Sequence, residues 1–215
     1  MWKARGIRGV LLGPCDKELC QPPFEWNDLA WVAIGHSLSL PLLHRVRRDF
    51  DADIERAIAR LTQKGGHRPG FLSEPESHHL FHTSLLRSAL TYYHTSGESC
   101  PEPYIELPFN DVSRFRAWIK SMRIDSLIVS RPMPLLQSAV GRKLPSVILS
   151  PNEQGVIPER CDGFIANYQA MGHTSINLMH HLLMNRHLGI PELPQTMLAS
   201  SPWHQFRTAP GKFAQ

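Results

Sequence analysis

Residues 29–72, LAWVAIGHSLSLPLLHRVRRDFDADIERAIARLTQKGGHRPGFL, contain in one stretch the pattern that the rest of the chain repeats. The run 29–37 is apolar almost throughout, as a parallel strand covered on both faces is. A shorter and more polar strand follows over 42–50, and then a helix over 51–66. The helix has apolar residues at the i, i+3, i+4, i+7 spacing of one buried face. These residues are Ile54, Ala57, Ile58 and Leu61.

The same alternation of strand and helix extends in both directions from this stretch. Further strands or short extended pieces are predicted over 7–13, 67–72, 103–108, 125–131, 145–151 and 195–203. Further helices are predicted over 76–97, 112–124, 133–144 and 167–189, the last with Asn167 as N-cap and Gly189 as its end. This order predicts an α/β protein with mainly parallel sheets flanked by helices.

The composition is that of a soluble globular chain. Of its 215 residues 42% are hydrophobic and 20% charged, and the positive residues behind the net charge of +4 are scattered. The sequence contains no apolar run of about 18 residues, so it predicts no membrane span. The apolar stretch near the N-terminus is too short for a signal peptide. The four cysteines, without a CxxC pair, suit reduced thiols, so we expect a cytoplasmic protein. They are Cys15, Cys20, Cys100 and Cys161.

Motifs of the common enzyme classes are absent from the sequence. There is no GxSxG nucleophile elbow, no GxxxxGK[ST] phosphate loop and no GxGxxG dinucleotide motif. His78 and His82 share one helix face, but the zinc motif HExxH needs Glu where His79 stands. We therefore predict a binding module with no catalytic residues, metal or cofactor. The enzymatic alternative is a small hydrolase that uses Ser37 and a histidine.

Three segments, by their order and spacing, resemble one known family. They are the opening stretch 29–72, DSLIVSRPMPLLQSAVGRKLPSVILSP (125–151) and GFIANYQAMGHTSINLMHHLLMNRHLGIPELPQTML (163–198). Together they resemble the effector-binding domain of the lactose/galactose repressor family of bacterial transcription regulators, which has the periplasmic-binding-protein-like (type I) fold. The resemblance spans residues 6 to about 208.

The resemblance implies two α/β lobes joined by three crossovers, with a small effector, a sugar or an anionic metabolite, held in the cleft. The N-terminal lobe would comprise 1–47 and 164–190, and the C-terminal lobe 48–163 and 191–215. Residues at strand ends and crossovers would contact the effector. By this resemblance they are Cys15, Ser37, Asp49, His82, Arg131, Asn152 and Asn167.

The sequence departs from the family pattern where sugars are usually bound. Arg131 and Pro132 stand in place of an Asn-Asp pair, and Pro151 and Asn152 in place of two acidic residues. Asp49 keeps the acidic residue of the crossover. These departures disfavour a simple sugar. Arg131, if it faces the cleft, would favour an anionic or carboxylated effector.

The first residues, MWKARGIRGVLLG (1–13), resemble the end of a helix followed by the third strand of the first lobe. In an intact family member a helix-turn-helix head, a hinge helix and two strand–helix units would precede this point. We therefore expect an incomplete first lobe and no direct DNA binding by this chain. The expected partners are the effector and a second chain, in a homodimer or a heterodimer with an intact family member. The alternative function is a stand-alone cytosolic binding protein that poisons the dimer of such a member.

Overall fold

The chain divides into two compact units. Unit 1 comprises Met1–Asp49 and Asn167–Ser200, and unit 2 comprises Phe50–Ala166 and Ser201–Gln215. The chain therefore passes from one unit to the other three times. The structure, a computed structural model, describes residues 2–15, 26–75, 78–108, 110–132, 144–150 and 162–205.

The described residues form four α-helices and ten β-strands. The helices are α1 (Phe50–Gln63), α2 (His78–Ser96), α3 (Val112–Met122) and α4 (Tyr168–Met184). The strands are β1 (Gly9–Leu12), β2 (Ala30–Ile34), β3 (His44–Arg48), β4 (Pro69–Ser73), β5 (Tyr104–Glu106), β6 (Ser126–Val129), β7 (Ser146–Ile148), β8 (Asp162–Phe164), β9 (Thr196–Ala199) and β10 (Trp203–His204). The predicted helix over 133–144 lies almost wholly outside the described residues. Within the described residues the predicted alternation of strands and helices is confirmed.

Unit 1 is a four-stranded parallel sheet in the order β1-β2-β3-β9. Helix α4 covers one face, where its apolar residues meet alternate residues of β2 and β3. Gly9 allows the close approach of this helix, because a Cβ there would collide with the side chain of Met179. A second apolar cluster, centred on Trp31, covers part of the other face. The core on the helix side is Ala30, Val32, Val46, Met171, Leu178, Met179, Leu182 and Ala199.

Unit 2 is a six-stranded sheet in the order β10-β8-β7-β6-β4-β5, parallel except for β10. Helices α1 and α2 pack in one core cluster with Phe71 and Phe164, and α3 packs in the other with Leu72 and Leu127. All four of these side chains are 0–1% exposed. Their burial on both sides explains why the strand segments read as continuous apolar runs.

Helix α1 begins and ends where its sequence predicts. Asp51 and Asp53 lie in its first turn, where negative charge is favourable. At its other end Gly65 takes a positive φ of 86°. Its amide donates to Thr62 O, and that of Gly66 to Leu61 O, so two terminal carbonyls are satisfied.

The last predicted strand differs from our expectation. Residues 195–203 are divided into β9, which pairs in parallel with β3 of unit 1, and β10, which pairs antiparallel with β8 of unit 2. The segment 191–200, expected in the second lobe, therefore lies in unit 1. The reason is the backbone ladder, which aligns Arg45 with Thr196 and Arg48 with Ala199.

No helix among the described residues is both long enough and apolar enough to cross a bilayer.

The packing of unit 2 predicts that Gly70→Ala destabilises the protein by about 1–3 kcal/mol. A Cβ at Gly70 would lie 2.5 Å from Trp118 Cη2 and 2.8 Å from Ile124 Cγ2, so the core would have to move. Urea denaturation monitored by circular dichroism measures the change in the free energy of unfolding. The matched control is Gly172→Ala in α4, where a Cβ meets no atom within 4 Å. That variant should be more stable than the wild type by about 0.5–1 kcal/mol; equal effects at both glycines would contradict this packing.

Candidate functional site

In unit 2 the carboxyl ends of β4 and β6 bring together a carboxylate and a guanidinium. Glu74 follows β4 directly and its side chain is 1% exposed. Arg131 follows β6 by two residues, its side chain is 19% exposed, and its Nη1 lies 3.1 Å from Glu74 Oε1. The two strands are neighbours in the sheet, so their parallel register places these ends side by side. The position predicted at Arg131 is thus part of a buried ion pair.

Serines line the same edge of the sheet. Ser130 N donates to Leu72 O at 3.0 Å, and Ser150 N donates to Ser130 O at 3.0 Å, so the ladder extends past the strands. Ser130 is 0% exposed, and its Oγ makes no hydrogen bond within the part of the chain that the structure describes. A buried hydroxyl without a partner is costly, and a bound polar ligand would satisfy it.

His82, a second predicted site residue of unit 2, joins a polar cluster at the end of β5. Its Nδ1 lies 3.1 Å from both Tyr104 Oη and Glu106 Oε1, and the Tyr104 hydroxyl donates to Glu106 Oε1 at 2.6 Å. Burial, and then the hydrogen bond and charge of Glu106, raise the pKa of Tyr104 well above its usual range. Tyr104 therefore stays protonated and holds the carboxylate in place.

In unit 1 the predicted residues Cys15 and Ser37 lie together. They follow β1 and β2, which are adjacent in the sheet, and Cys15 N donates to Ser37 Oγ at 3.0 Å. Because Ser37 Oγ accepts this bond, its own O–H can donate to a ligand. The contact of Cys15 is made by its backbone, so the structure assigns its thiol no role in this pair.

His36 and two arginines form a basic group beside Ser37. The backbone oxygens of Gly35 and Leu38 accept from the Arg45 guanidinium. His36 Nε2 lies 3.2 Å from Arg48 O, and its Nδ1 lies 3.4 Å from Arg47 Nη1. Burial, and then the positive charges of Arg47, Arg45 and Arg48, lower the pKa of His36 to about 4. His36 is therefore neutral at pH 7, with Nε2–H as donor and Nδ1 as acceptor.

The other predicted residues lie at the passages between units. Asp49 follows β3, and its backbone N donates to Ala199 O at 3.1 Å. Asn167 is the N-cap of α4, as predicted, and its side chain accepts from Ala170 N at 2.9 Å. Because the cap uses the amide oxygen, mainly the amide NH₂ could serve a ligand. Asn152 lies outside the described residues. The effector roles of all these residues stay predictions.

Sequence reasoning missed Glu74, Ser130, Tyr104, Glu106 and His36. The signal in the sequence was their position near the carboxyl ends of strand segments, since each except Tyr104 ends or follows an observed strand. In unit 2 the Glu74 carboxylate, the Arg131 guanidinium and the Ser130 hydroxyl are groups that can bind polar parts of a small molecule. Within the described residues no group of three or more His, Cys, Asp or Glu side chains is placed to hold a metal ion.

Comparison with known proteins identifies the fold. No protein-family model and no curated protein matches the sequence. A periplasmic binding protein/LacI transcriptional regulator from Alkaliphilus metalliredigens, complexed with D-xylulofuranose, matches with a TM-score of 0.63 and 13% identity over 97% of this chain and 80% of that chain. A LacI family transcriptional regulator from Enterococcus faecium with bound ribose matches with a TM-score of 0.60 and 13% identity, over 97% of this chain and 82% of that chain. The transcription regulator CcpA of Lactococcus lactis matches with a TM-score of 0.62 and 12% identity, over 95% of this chain and 79% of that chain.

These similarities confirm the predicted fold. The chain has the mixed α/β architecture of the periplasmic-binding-protein-like (type I) fold, which it shares with the effector-binding domains of LacI-family regulators. At this level of identity the similarity establishes architecture, while the site must be argued from its own residues.

The ion pair of unit 2 predicts that Arg131→Leu lowers the free energy of unfolding by about 3 kcal/mol, because it leaves the Glu74 carboxylate buried without its guanidinium. Urea denaturation at neutral pH measures the loss. Arg87→Leu is the matched control, since Arg87 forms an exposed ion pair with Asp51. The side chain of Arg87 is 58% exposed and that of Asp51 is 42% exposed. The control should cost no more than about 1 kcal/mol. Similar losses in the two variants would show that burial of the Glu74 pair has no energetic consequence.

The His36 environment predicts a pH dependence of stability. An unfolded histidine has a pKa of about 6.5, whereas that of folded His36 is about 4. Between these values the unfolded state binds a proton that the folded state does not, so stability falls as the pH falls from about 6.5 to about 4. The contribution is about 3 kcal/mol at most. His36→Gln should therefore flatten the plot of unfolding free energy against pH in this range; an unchanged slope would refute the assignment.

Proposed function

We propose that this chain is the small-molecule-sensing domain of a bacterial transcription regulator, acting in the cytoplasm, and that its effector is a sugar or a close chemical relative. The observation that carries the proposal is the buried polar set of Glu74, Ser130 and Arg131 at the carboxyl ends of β4 and β6. Ligands of open parallel sheets bind outside these ends. A set of this kind, three polar residues on neighbouring strand ends, is therefore where a ligand is expected.

The chemistry of the set suits the hydroxyls of a sugar. The family pattern has acidic residues after β6 and β7 that this sequence lacks, and the Glu74 carboxylate supplies a hydrogen-bond acceptor in their place. Ser130 supplies a hydroxyl that makes no hydrogen bond within the described residues. Arg131 adds donors, but its charge is offset by Glu74 at 3.1 Å. This pair therefore favours an uncharged polyhydroxylated group over an anion, which revises our interpretation of Arg131. The neighbours in complex with D-xylulofuranose and ribose support the same class of effector.

In a transcription regulator, binding of the effector must change the affinity for DNA. We propose that effector binding to this chain and operator binding by the regulator are coupled through a dimer. In this view the described residues supply the part of the regulator that senses the small molecule. The dimer is a homodimer, or a heterodimer with another member of the same family.

The proposal predicts that a sugar stabilises the folded chain. Differential scanning calorimetry of the full chain with D-ribose, D-xylose, D-xylulose, cellobiose and D-glucose tests it. At a concentration of about 100 times Kd, the bound sugar should add about 2.7 kcal/mol to the free energy of unfolding. A set of sugars that leaves the transition temperature unchanged at millimolar concentrations would overturn the sugar class of the proposal.

The role of Ser130 is tested by Ser130→Ala. Because the hydroxyl makes no hydrogen bond within the described residues, the ligand-free variant should be as stable as the wild type or more stable. Its affinity for the stabilising sugar, measured by calorimetric titration, should fall about 3- to 10-fold. Ser121→Ala is the matched control, since Ser121 is an exposed residue of α3 whose hydroxyl donates to Trp118 O. Equal affinity of the two variants would exclude Ser130 from the site.

A further inference from the structure

We infer that unit 1 contains a site for an anionic group, a carboxylate or a phosphate, whose principal ligand is the guanidinium of Arg47. The inference goes beyond the proposed function, because it holds whether the anion is part of the effector or a separate molecule. It starts from strand β3, whose sequence HRVRR is the most basic stretch of the described chain. Arg45 and Arg47 lie on the same face of this strand, opposite the face packed on α4, because successive strand residues alternate.

The guanidinium of Arg47 carries a buried donor, Nε, that has no acceptor among the described residues. Its Nη1 lies 3.4 Å from His36 Nδ1. Nε and Nη2 form the edge of arginine that binds two oxygens of a carboxylate or phosphate in parallel. An anion on this edge would satisfy a buried donor that the described protein leaves unsatisfied.

The neighbours of Arg47 orient the guanidinium without neutralising it. His36 is neutral and accepts through Nδ1, because its Nε2–H faces the Arg48 carbonyl. Arg45, which is directed to two backbone carbonyls, adds a second positive charge. On the next strand Leu198 is paired in register with Arg47 and is uncharged. These groups make the local potential positive.

Acidic side chains of the described residues do not pair with Arg47. Asp49, two residues further along the chain, has an interaction partner of its own. The groups that shift His36 are the three arginines and a backbone carbonyl, with no carboxylate among them. Arg47 therefore differs from Arg131, Arg56, Arg68 and Arg87, each of which is paired with Asp or Glu. A partly exposed arginine whose Nε lacks an acceptor, in a positive field, is suited to binding an anion.

The test is calorimetric titration of the full chain at constant ionic strength, with inorganic phosphate, D-gluconate and D-glucose 6-phosphate, and with D-glucose as the uncharged probe. The wild type should bind at least one anion more tightly than D-glucose. Arg47→Gln should weaken anion binding about 10-fold or more, since it removes a charged donor. Arg47→Lys, which keeps the charge but not the fork, should lose less. Arg8→Gln, at an exposed arginine of the same unit, should bind as the wild type does.

The probes also distinguish the sources of the anion. Equal affinity for inorganic phosphate and D-glucose 6-phosphate identifies a site for the bare anion, and tighter D-glucose 6-phosphate or D-gluconate binding identifies an organic acid. Either result supports the inference provided that Arg47→Gln abolishes the preference. Binding of no anion, or anion binding unchanged in a folded Arg47→Gln variant, overturns it. Ser130→Ala should leave phosphate binding unchanged, so a failure here is separate from a failure of the proposed sugar site.

The chemical shifts of the imidazole nitrogens provide a second readout that does not depend on the folding of an Arg47 variant. In the wild type, the His36 Nδ1 resonance should shift as phosphate is added. The reason is that an anion bound to the Arg47 guanidinium changes the hydrogen bond that this guanidinium donates to His36 Nδ1. Histidine resonances of unit 2, such as that of His82, should stay in place. A titration that moves the His82 signal and not the His36 signal would locate anion binding elsewhere and overturn the inference.

Discussion

Parallel pairing of the strands is the constraint on which the other features of this protein depend. In unit 1 every described pair is parallel, and in unit 2 only β10 runs the other way. A parallel strand cannot return by a tight hairpin, so each pair needs a longer connection, usually a helix on a face of the sheet. The same arrangement puts all carboxyl ends of a sheet at one edge. Side chains that follow separate strands are therefore brought together there.

The Glu74–Arg131 pair shows how this constraint produces a site. The two residues are more than fifty positions apart in the sequence, and they meet because β4 and β6 are neighbours. Burial makes the pair costly to break, since the loss of either partner would leave a buried group without the opposite charge that lies 3.1 Å from it. The pair thus fixes the geometry of the strand ends, while Ser130 beside it offers a hydroxyl for a ligand. Stability and recognition are linked through the same few residues.

The two units present different electrostatic conditions at their strand ends. In unit 2 the Glu74 carboxylate pairs with the Arg131 guanidinium, so charges of both signs are close together, and Glu106 lies beside the imidazole of His82. In unit 1 Arg45, Arg47 and Arg48 surround a histidine whose pKa is lowered to about 4. A mixed set suits hydroxyl groups, which both donate and accept. A positive set suits an anion. The difference arises from β3, whose alternating pattern places Arg45 and Arg47 on one face and Val46 in the core.

The sequence by itself determined the α/β class, the helices α1 to α4 and most strands, because these depend on local periodicity and on end signals such as Gly65 and Asn167. It also indicated that Ser37 and Arg131 follow strands. Only the tertiary structure decided which strands are neighbours, and hence that Glu74 offsets Arg131 while the Arg47 guanidinium lies beside the imidazole of His36. It alone assigned 196–199 to unit 1. The physical reason is that strand order and ion pairing depend on contacts between distant segments, which no local pattern contains.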